Sequence, residues 1–137
     1  MKTILDSNVL FDMVLRDSTW YEWSIQNFKH SRSEGQIVVN AIIFAEVGGH
    51  FLSFEETMDV VKKIGIELED LPWRAAHSAG RAHRVYRKVG GTRERLLPDF
   101  LIGAHAEANG YRILTRDASR YRTYFPHVEL ITPDTHP

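Results

Sequence analysis

The sequence predicts an α/β fold, a three-layer α/β/α domain around a central parallel sheet, and three observations carry that expectation. Short aliphatic and β-branched runs recur at Met1 to Leu5, Gln36 to Val39, Tyr111 to Leu114 and Val128 to Ile131. Segments of helical periodicity separate them, and strands alternating with helices build parallel sheets with right-handed crossovers and helices on both faces. Polar triplets, Asp6-Ser7-Asn8 and Thr115-Arg116-Asp117, follow two of the strands directly. That carboxyl edge is where open α/β sheets bind ligands. At 137 residues the chain suits one domain over 1–137, which should bury about two-thirds of its unfolded surface.

Each element has a local cause. After the first strand, Asp6-Ser7-Asn8 leads into the amphipathic run Val9 to Leu15, and Thr19 to Ser33 reads as a second helix with Trp20, Trp23, Ile25 and Phe28 at apolar positions. Gly35 ends that helix, Gln36 to Val39 forms a strand, and Asn40 opens a helix from Ala41 to Val47 that stops near Gly48-Gly49. Ser53-Phe54-Glu55-Glu56 has the form of a capping box, so a helix should run to Ile64, where Gly65 stops it. Ile66 to Leu68 fits a short strand. Pro72 begins a long helix through Lys88, with Ala75, Ala76, Ala79, Ala82 and Val85 as its small apolar stripe. Val89 to Thr92 breaks it, and Arg93 to Arg95 reads as a loop. Asp99 falls in the first turn of a helix that continues from Phe100 to Ala108 and ends at Asn109-Gly110. Tyr111 to Leu114 is the next strand. Tyr121, Tyr124 and Phe125 are expected to pack against the sheet, and Pro126 turns the chain toward the last strand.

Composition narrows the function classes. Hydrophobic content of 43% with 26% charged residues describes an ordinary globular chain, and no apolar run approaches the roughly 20 residues that span a bilayer. The start lacks the pattern of a signal peptide, which places the expected location in the cytoplasm with no membrane contact. Zero cysteines exclude disulfides, thiolate catalysis and thiolate metal sites. The net charge of -1 hides an asymmetry: residues 1–70 carry 6 basic against 12 acidic side chains, residues 71–137 carry 11 against 6. Arg74, Arg81, Arg84, Arg87, Lys88, Arg93 and Arg95 precede Asp99, and Arg112, Arg116, Arg120 and Arg122 surround Asp117. A polyanion would meet phosphate-binding groups beside carboxylates.

Four acids, Asp6, Glu46, Asp99 and Asp117, stand where strands turn into helices or project from a neighbouring helix. Singly each has a structural explanation. Asp6 suits a helix N-cap, Asp99 gains from the positive end of a helix dipole, and Glu46, more than one turn into its helix, either points back over the sheet edge or faces water. Together they would repel unless a cation joined them. Mg²⁺ takes oxygen ligands and keeps several waters, so carboxylates with Asn8, Thr115 or water completing the shell suit it, and Mn²⁺ can substitute. Zinc is disfavoured, since His77, His83 and His105 form no compact zinc pattern and fit packing or surface roles. Such a cation would activate water against phosphorus without any nucleophilic side chain, which agrees with the lack of a Ser-His-Asp or Cys-His arrangement.

Ile4-Leu5-Asp6-Ser7-Asn8, the Asn40 to Glu46 helix, Leu97-Pro98-Asp99-Phe100-Leu101-Ile102-Gly103-Ala104-His105-Ala106, and Leu114-Thr115-Arg116-Asp117 with Arg120-Tyr121 together resemble the successive motifs of a PIN-domain protein, specifically a VapC-type toxin. The resemblance covers essentially the whole chain. It implies a PIN-like three-layer domain, an Mg²⁺- or Mn²⁺-dependent endoribonuclease acting on RNA, a VapB-type antitoxin as partner, and a homodimer. It further implies that Asp6 and Asp99 bind metal directly, that Glu46 does so directly or through water, and that Asp117 acts through water or a second ion. Thr115 and Asn8 match supporting polar positions. Trp20, Trp23 and Phe28 fit either a partner surface or ordinary core packing.

Two other readings compete. A phosphatase of the haloacid dehalogenase type also places a carboxylate after the first strand, but needs a second Asp two residues on, where this chain has Asn8. A catalytically silent RNA- or partner-binding module would keep the fold and its charge without turnover.

Overall fold

A computed structural model describes residues 1–91 and 96–137. The expected break at Thr92 and the loop from Arg93 to Arg95 lie outside the described residues. Five strands, β1 (Thr3–Leu5), β2 (Ile37–Val39), β3 (Glu67–Leu68), β4 (Arg112–Leu114) and β5 (Leu130–Ile131), pair in parallel in the order β3-β2-β1-β4-β5. Among the described residues, six helices flank this sheet: α1 (Ser7–Val14), α2 (Tyr21–Glu34), α3 (Ala41–Gly48), α4 (Phe54–Ile64), α5 (Trp73–Lys88) and α6 (Leu97–Asn109). A 3-10 turn covers Ala118–Arg120. Every residue of β1, β2 and β4 is buried. Because successive strand side chains point to opposite faces, both faces of the sheet centre are covered. No helix among the described residues is long and apolar enough to cross a membrane.

The strand order locates the site. From β1 the chain builds outward through β2 to β3, then returns to the other flank of β1 for β4 and β5. The topological switch therefore lies between β1 and β4, where the loops at the carboxyl edge part and leave a crevice. Register fixes what lines it. Leu5 pairs with Leu114, so Asp6 and Thr115 come next to each other, and the Asp6 N–H donates to the Leu114 carbonyl at 3.0 Å.

Helix boundaries follow the expected signals. Asn40 caps α3, its Oδ1 accepting from the N–H groups of Ile42 and Ile43 at 3.0 and 3.1 Å. Ser53 caps α4 by accepting from Glu56 N–H at 3.0 Å. Gly110, at φ 68°, ends α6 in the left-handed conformation that a side chain disfavours. Gly103 serves a different need: a Cβ there would stand 2.3 Å from the Phe125 ring, so its absence lets α6 seat on that aromatic.

Two details depart from the sequence expectation. On α5 the buried stripe is Ala75, Ala79 and Tyr86, with Ala82 partly buried, whereas Val85 is exposed. The helical period carries the stripe from Ala82 to Tyr86, four residues on, and rotates Val85 off it. Of Trp20, Trp23 and Phe28, Phe28 is buried in the core and Trp23 packs partly buried against it. Trp23 donates its indole N–H to the His136 carbonyl at 2.6 Å and stands edge-on to Trp20.

Candidate acidic site at the sheet edge

Asp6 leaves β1 fully buried, and its carboxylate is held from several directions. Oδ1 accepts from the Ser7 N–H at 2.8 Å, so the residue is the cap of α1 as well as a site acid. Oδ2 accepts from the Thr115 hydroxyl at 2.9 Å and the Tyr121 hydroxyl at 2.8 Å. Thr115 in turn accepts from Asn8 Nδ2 at 3.3 Å and from the Asp117 N–H at 3.1 Å, while Asn8 Oδ1 accepts from the Arg116 N–H at 3.3 Å. Asn8 and Thr115 thus join the loop after β4 to the start of α1.

The other acids approach from two further elements. Asp99 lies in the first turn of α6 and is almost wholly buried. Asp117 caps the 3-10 turn, accepting from the Ser119 N–H at 3.2 Å, and is exposed. Both meet Asp6 across one guanidinium. Arg120 Nη1 lies 3.3 Å from Asp6 Oδ2 and 3.5 Å from Oδ1; its Nε lies 3.3 Å from Asp99 Oδ1 and 3.9 Å from Asp117 Oδ2. Glu46, on α3, stands at the exposed rim and forms no ion pair with Arg120, although it feels the same charges.

Electrostatics bind the four acids into one unit. Burial raises the Asp99 carboxyl above its usual range; Arg120 pulls it down, and the Asp6 charge adds to the rise. Residual desolvation and then the Asp6 charge raise Glu46, opposed by the Ser7 hydrogen bond and by Arg120. Burial works against the Arg120 charge, yet the facing carboxylates of Asp6, Asp99 and Glu46 outweigh it and hold the guanidinium above its ordinary value. Burial and the adjoining Asp6 carboxylate push the Tyr121 hydroxyl well up, so it stays a donor at neutral pH.

The donor set, four carboxylates with a threonine hydroxyl and an asparagine amide beside them, is all oxygen at its ligating positions. It fits a hard divalent cation by type. Among the described residues no three acidic or histidine side chains already converge closely enough to hold an ion. Arg120 stands between Asp6, Asp99 and Asp117 instead.

Sequence reasoning named the four acids with Thr115 and Asn8 beside them, but not the ion pairs that the neighbouring arginines form. The arginines around Asp117 were expected as phosphate-binding groups, but all four are engaged within the chain. Arg112 is buried and reaches Glu34 and Glu129, Arg116 grips Asp12 at 2.7 and 3.0 Å, Arg120 spans the acids, and Arg122 meets Asp134 at 2.7 Å. Exposed positive charge sits instead on α5, at Arg74, Arg81, Arg84, Arg87 and Lys88. His105 also exceeds ordinary packing. Fully buried on α6, it bridges Asn40 at 3.1 Å and Glu69 at 2.9 Å, tying the helix of Asp99 to the cap of the helix of Glu46. The sequence signal for Arg120 was its place three residues after Asp117, on the next turn of the chain; nothing marked Glu69.

The fold recurs among solved structures. VapBC-1 from nontypeable Haemophilus influenzae is similar at a TM-score of 0.70 and 14% identity, with 96% of this chain and 98% of that chain covered. VapBC2 from Rickettsia felis, bound to a DNA fragment from their promoter, gives a TM-score of 0.69 at 17% identity with 96% and 98% covered. A toxin-antitoxin complex from Klebsiella pneumoniae gives 0.67 at 16% identity with 96% and 97% covered. No curated protein matches the chain in sequence. A family model described as PIN domain matches residues 3–126, which takes in all four acids and the strands β1, β2 and β4 that position them; on that ground the chain belongs to the PIN domain family.

Proposed function

We propose that the chain is a Mg²⁺-dependent endoribonuclease, with Mn²⁺ able to substitute, and the toxin of a VapBC-type pair restrained by a VapB-type antitoxin. The observation that carries this reading is the meeting of Asp6, Asp99 and Asp117 at one guanidinium on the switch-point edge of the sheet. Membership of the PIN family supports nuclease chemistry, and the solved neighbours named as toxin-antitoxin complexes support the partner. A homodimer belongs to the same proposal.

When bound, the cation supplies an activated water and neutralises charge on the phosphate oxygens. Asp6 and Asp99 would hold it directly, Glu46 directly or through water, and Asp117 through water or beside a second ion. Thr115 and Tyr121 orient Asp6 by donating to Oδ2, so that its carboxylate meets the site at one fixed angle. Asn8 holds Thr115 in that role. The exposed arginines of α5 supply charge for the RNA backbone at a distance from the acids.

The phosphatase alternative loses ground here. A nucleophilic Asp6 would need a second Asp two residues on, and the residue there is Asn8, whose amide is taken up by the Thr115 hydroxyl and the Arg116 N–H. The silent binding module retains one observation in its favour: Arg120 already neutralises the acids. Expression in a bacterial host separates the two. The proposal expects growth arrest by the wild-type chain, none by Asp6→Asn, and relief by a small DNA-binding protein encoded beside the gene. Equal growth with wild type and variant favours the silent module.

A further inference from the structure

We propose that Arg120 is a positioning residue that acts as the built-in counter-ion of the acidic site, occupying the place a divalent cation takes between Asp6 and Asp99 and leaving it when that cation enters. The proposal rests on the cation-dependent reading above and adds a role for a residue of the chain itself.

An ionised carboxylate offers about four lone-pair positions. On Asp6 three are filled by the Ser7 N–H, the Thr115 hydroxyl and the Tyr121 hydroxyl at 2.8, 2.9 and 2.8 Å. These donors are fixed, since one is backbone and the other two belong to fully buried side chains. The Arg120 Nη1, spread over both oxygens at 3.3 and 3.5 Å, takes what remains. A cation ligated by Asp6 therefore competes with Arg120 and not with the other three.

Arg120 is also the partner best able to move. Its side chain is 27% exposed, against 0% and 5% for those of Asp6 and Asp99. Its contacts run from 3.3 to 3.9 Å, longer than the roughly 2.7–2.9 Å of a tight charge-assisted bond. Arg116 gives the contrast, locked onto Asp12 at 2.7 and 3.0 Å. Two buried carboxylates without a counter-charge would destabilise the fold, so a loosely held guanidinium stabilises the cation-free protein and still yields. If it fills the position in about nine-tenths of molecules, apparent cation affinity is about tenfold weaker than intrinsic affinity.

The test is a Mg²⁺ titration of the full chain followed by proton–nitrogen NMR of the arginine Nε–Hε groups, with calorimetry in parallel. Arg120→Lys assigns the signal by its disappearance, and Arg120→Gln reports affinity. The expected result is that Arg120 Hε exchanges faster with solvent as Mg²⁺ saturates while Arg116 does not change, and that Arg120→Gln binds Mg²⁺ about tenfold more tightly. Mg²⁺ binding with Arg120 Hε unaffected overturns the proposal, even if Arg120→Gln does not fold. Absence of Mg²⁺ binding in wild type and variants overturns the cation-dependent reading together with it. Displacement of Arg120 by Mg²⁺ in a protein that cleaves no RNA supports the counter-ion role and sinks the ribonuclease alone.

Discussion

His105 Nδ1 lies 3.1 Å from Asn40 Nδ2, and the direction of this hydrogen bond is determined by the rest of the site. Asn40 Oδ1 is committed to two backbone N–H groups of α3, so its amide must donate to His105. His105 Nδ1 then accepts, and its Nε2–H donates to Glu69 at 2.9 Å. The ring links α6, which carries Asp99, to the cap of α3, which carries Glu46. Asn40→Ala should cost about 1–2 kcal/mol through the lost cap alone. Urea unfolding measures that, and a variant as stable as wild type contradicts the cap.

Glu69 gives a pH signature. Burial pushes its carboxyl up, but hydrogen bonds from Lys2, His105 and Tyr111 outweigh burial and hold it below its usual 4.5. A lowered carboxylate contributes stability that is present above 4.5 and is lost as pH falls through the folded-state value. Glu69→Gln should therefore cost about 1–3 kcal/mol at neutral pH. The gap to wild type should narrow as pH drops below 4.5. Thermal unfolding of both proteins across this range checks the sign; a gap that widens in acid refutes it.

Arg116 and Arg122, six positions apart in the chain, differ sharply in what they pair with. Arg116 neutralises Asp12, which is nearly fully buried and also accepts from the Ser24 hydroxyl at 2.7 Å. Arg116→Ala leaves that carboxylate unpaired, for about 3 kcal/mol of lost stability. Arg122 pairs with Asp134 at the surface, so Arg122→Ala should change stability by less than about 1 kcal/mol. Equal losses in denaturant titrations would contradict the difference in burial.

Tyr121 offers a cleaner perturbation of the site. Tyr121→Phe keeps the buried ring and removes one hydroxyl donor from Asp6 Oδ2. Stability should fall by about 1–3 kcal/mol, the cost of leaving a buried acceptor short of a partner. A variant with unchanged unfolding midpoint would show that the hydroxyl does not hold Asp6.

Local patterning made the strands, the helix caps and the four acids legible. Asn40, Ser53, Gly65 and Gly110 stop or start helices through their own side chains or backbone freedom, which sequence expresses directly. The β1–β4 pairing that sets Asp6 beside Thr115 is a long-range relationship, 109 positions apart, and only the alternation of elements hinted at it. What stayed hidden was the choice of partner for each charge. Arg116 and Arg120 look alike in sequence, yet one lies over the Trp20 ring and is spent on a buried Asp12, and the other is spent on the site acids. Val85 and Tyr86 likewise exchange inside and outside by a single step of helical rotation.

Whether the acids gathered at the switch point drive cation-dependent RNA cleavage is decided by mapping the cuts that the purified full chain makes in total cellular RNA. Cleavage is expected with added Mg²⁺ or Mn²⁺ and is expected to be lost in EDTA and in Asp6→Asn and Asp99→Asn variants that retain the wild-type circular dichroism spectrum. Cleavage that persists in EDTA, or at unchanged rates in both folded variants, would contradict it.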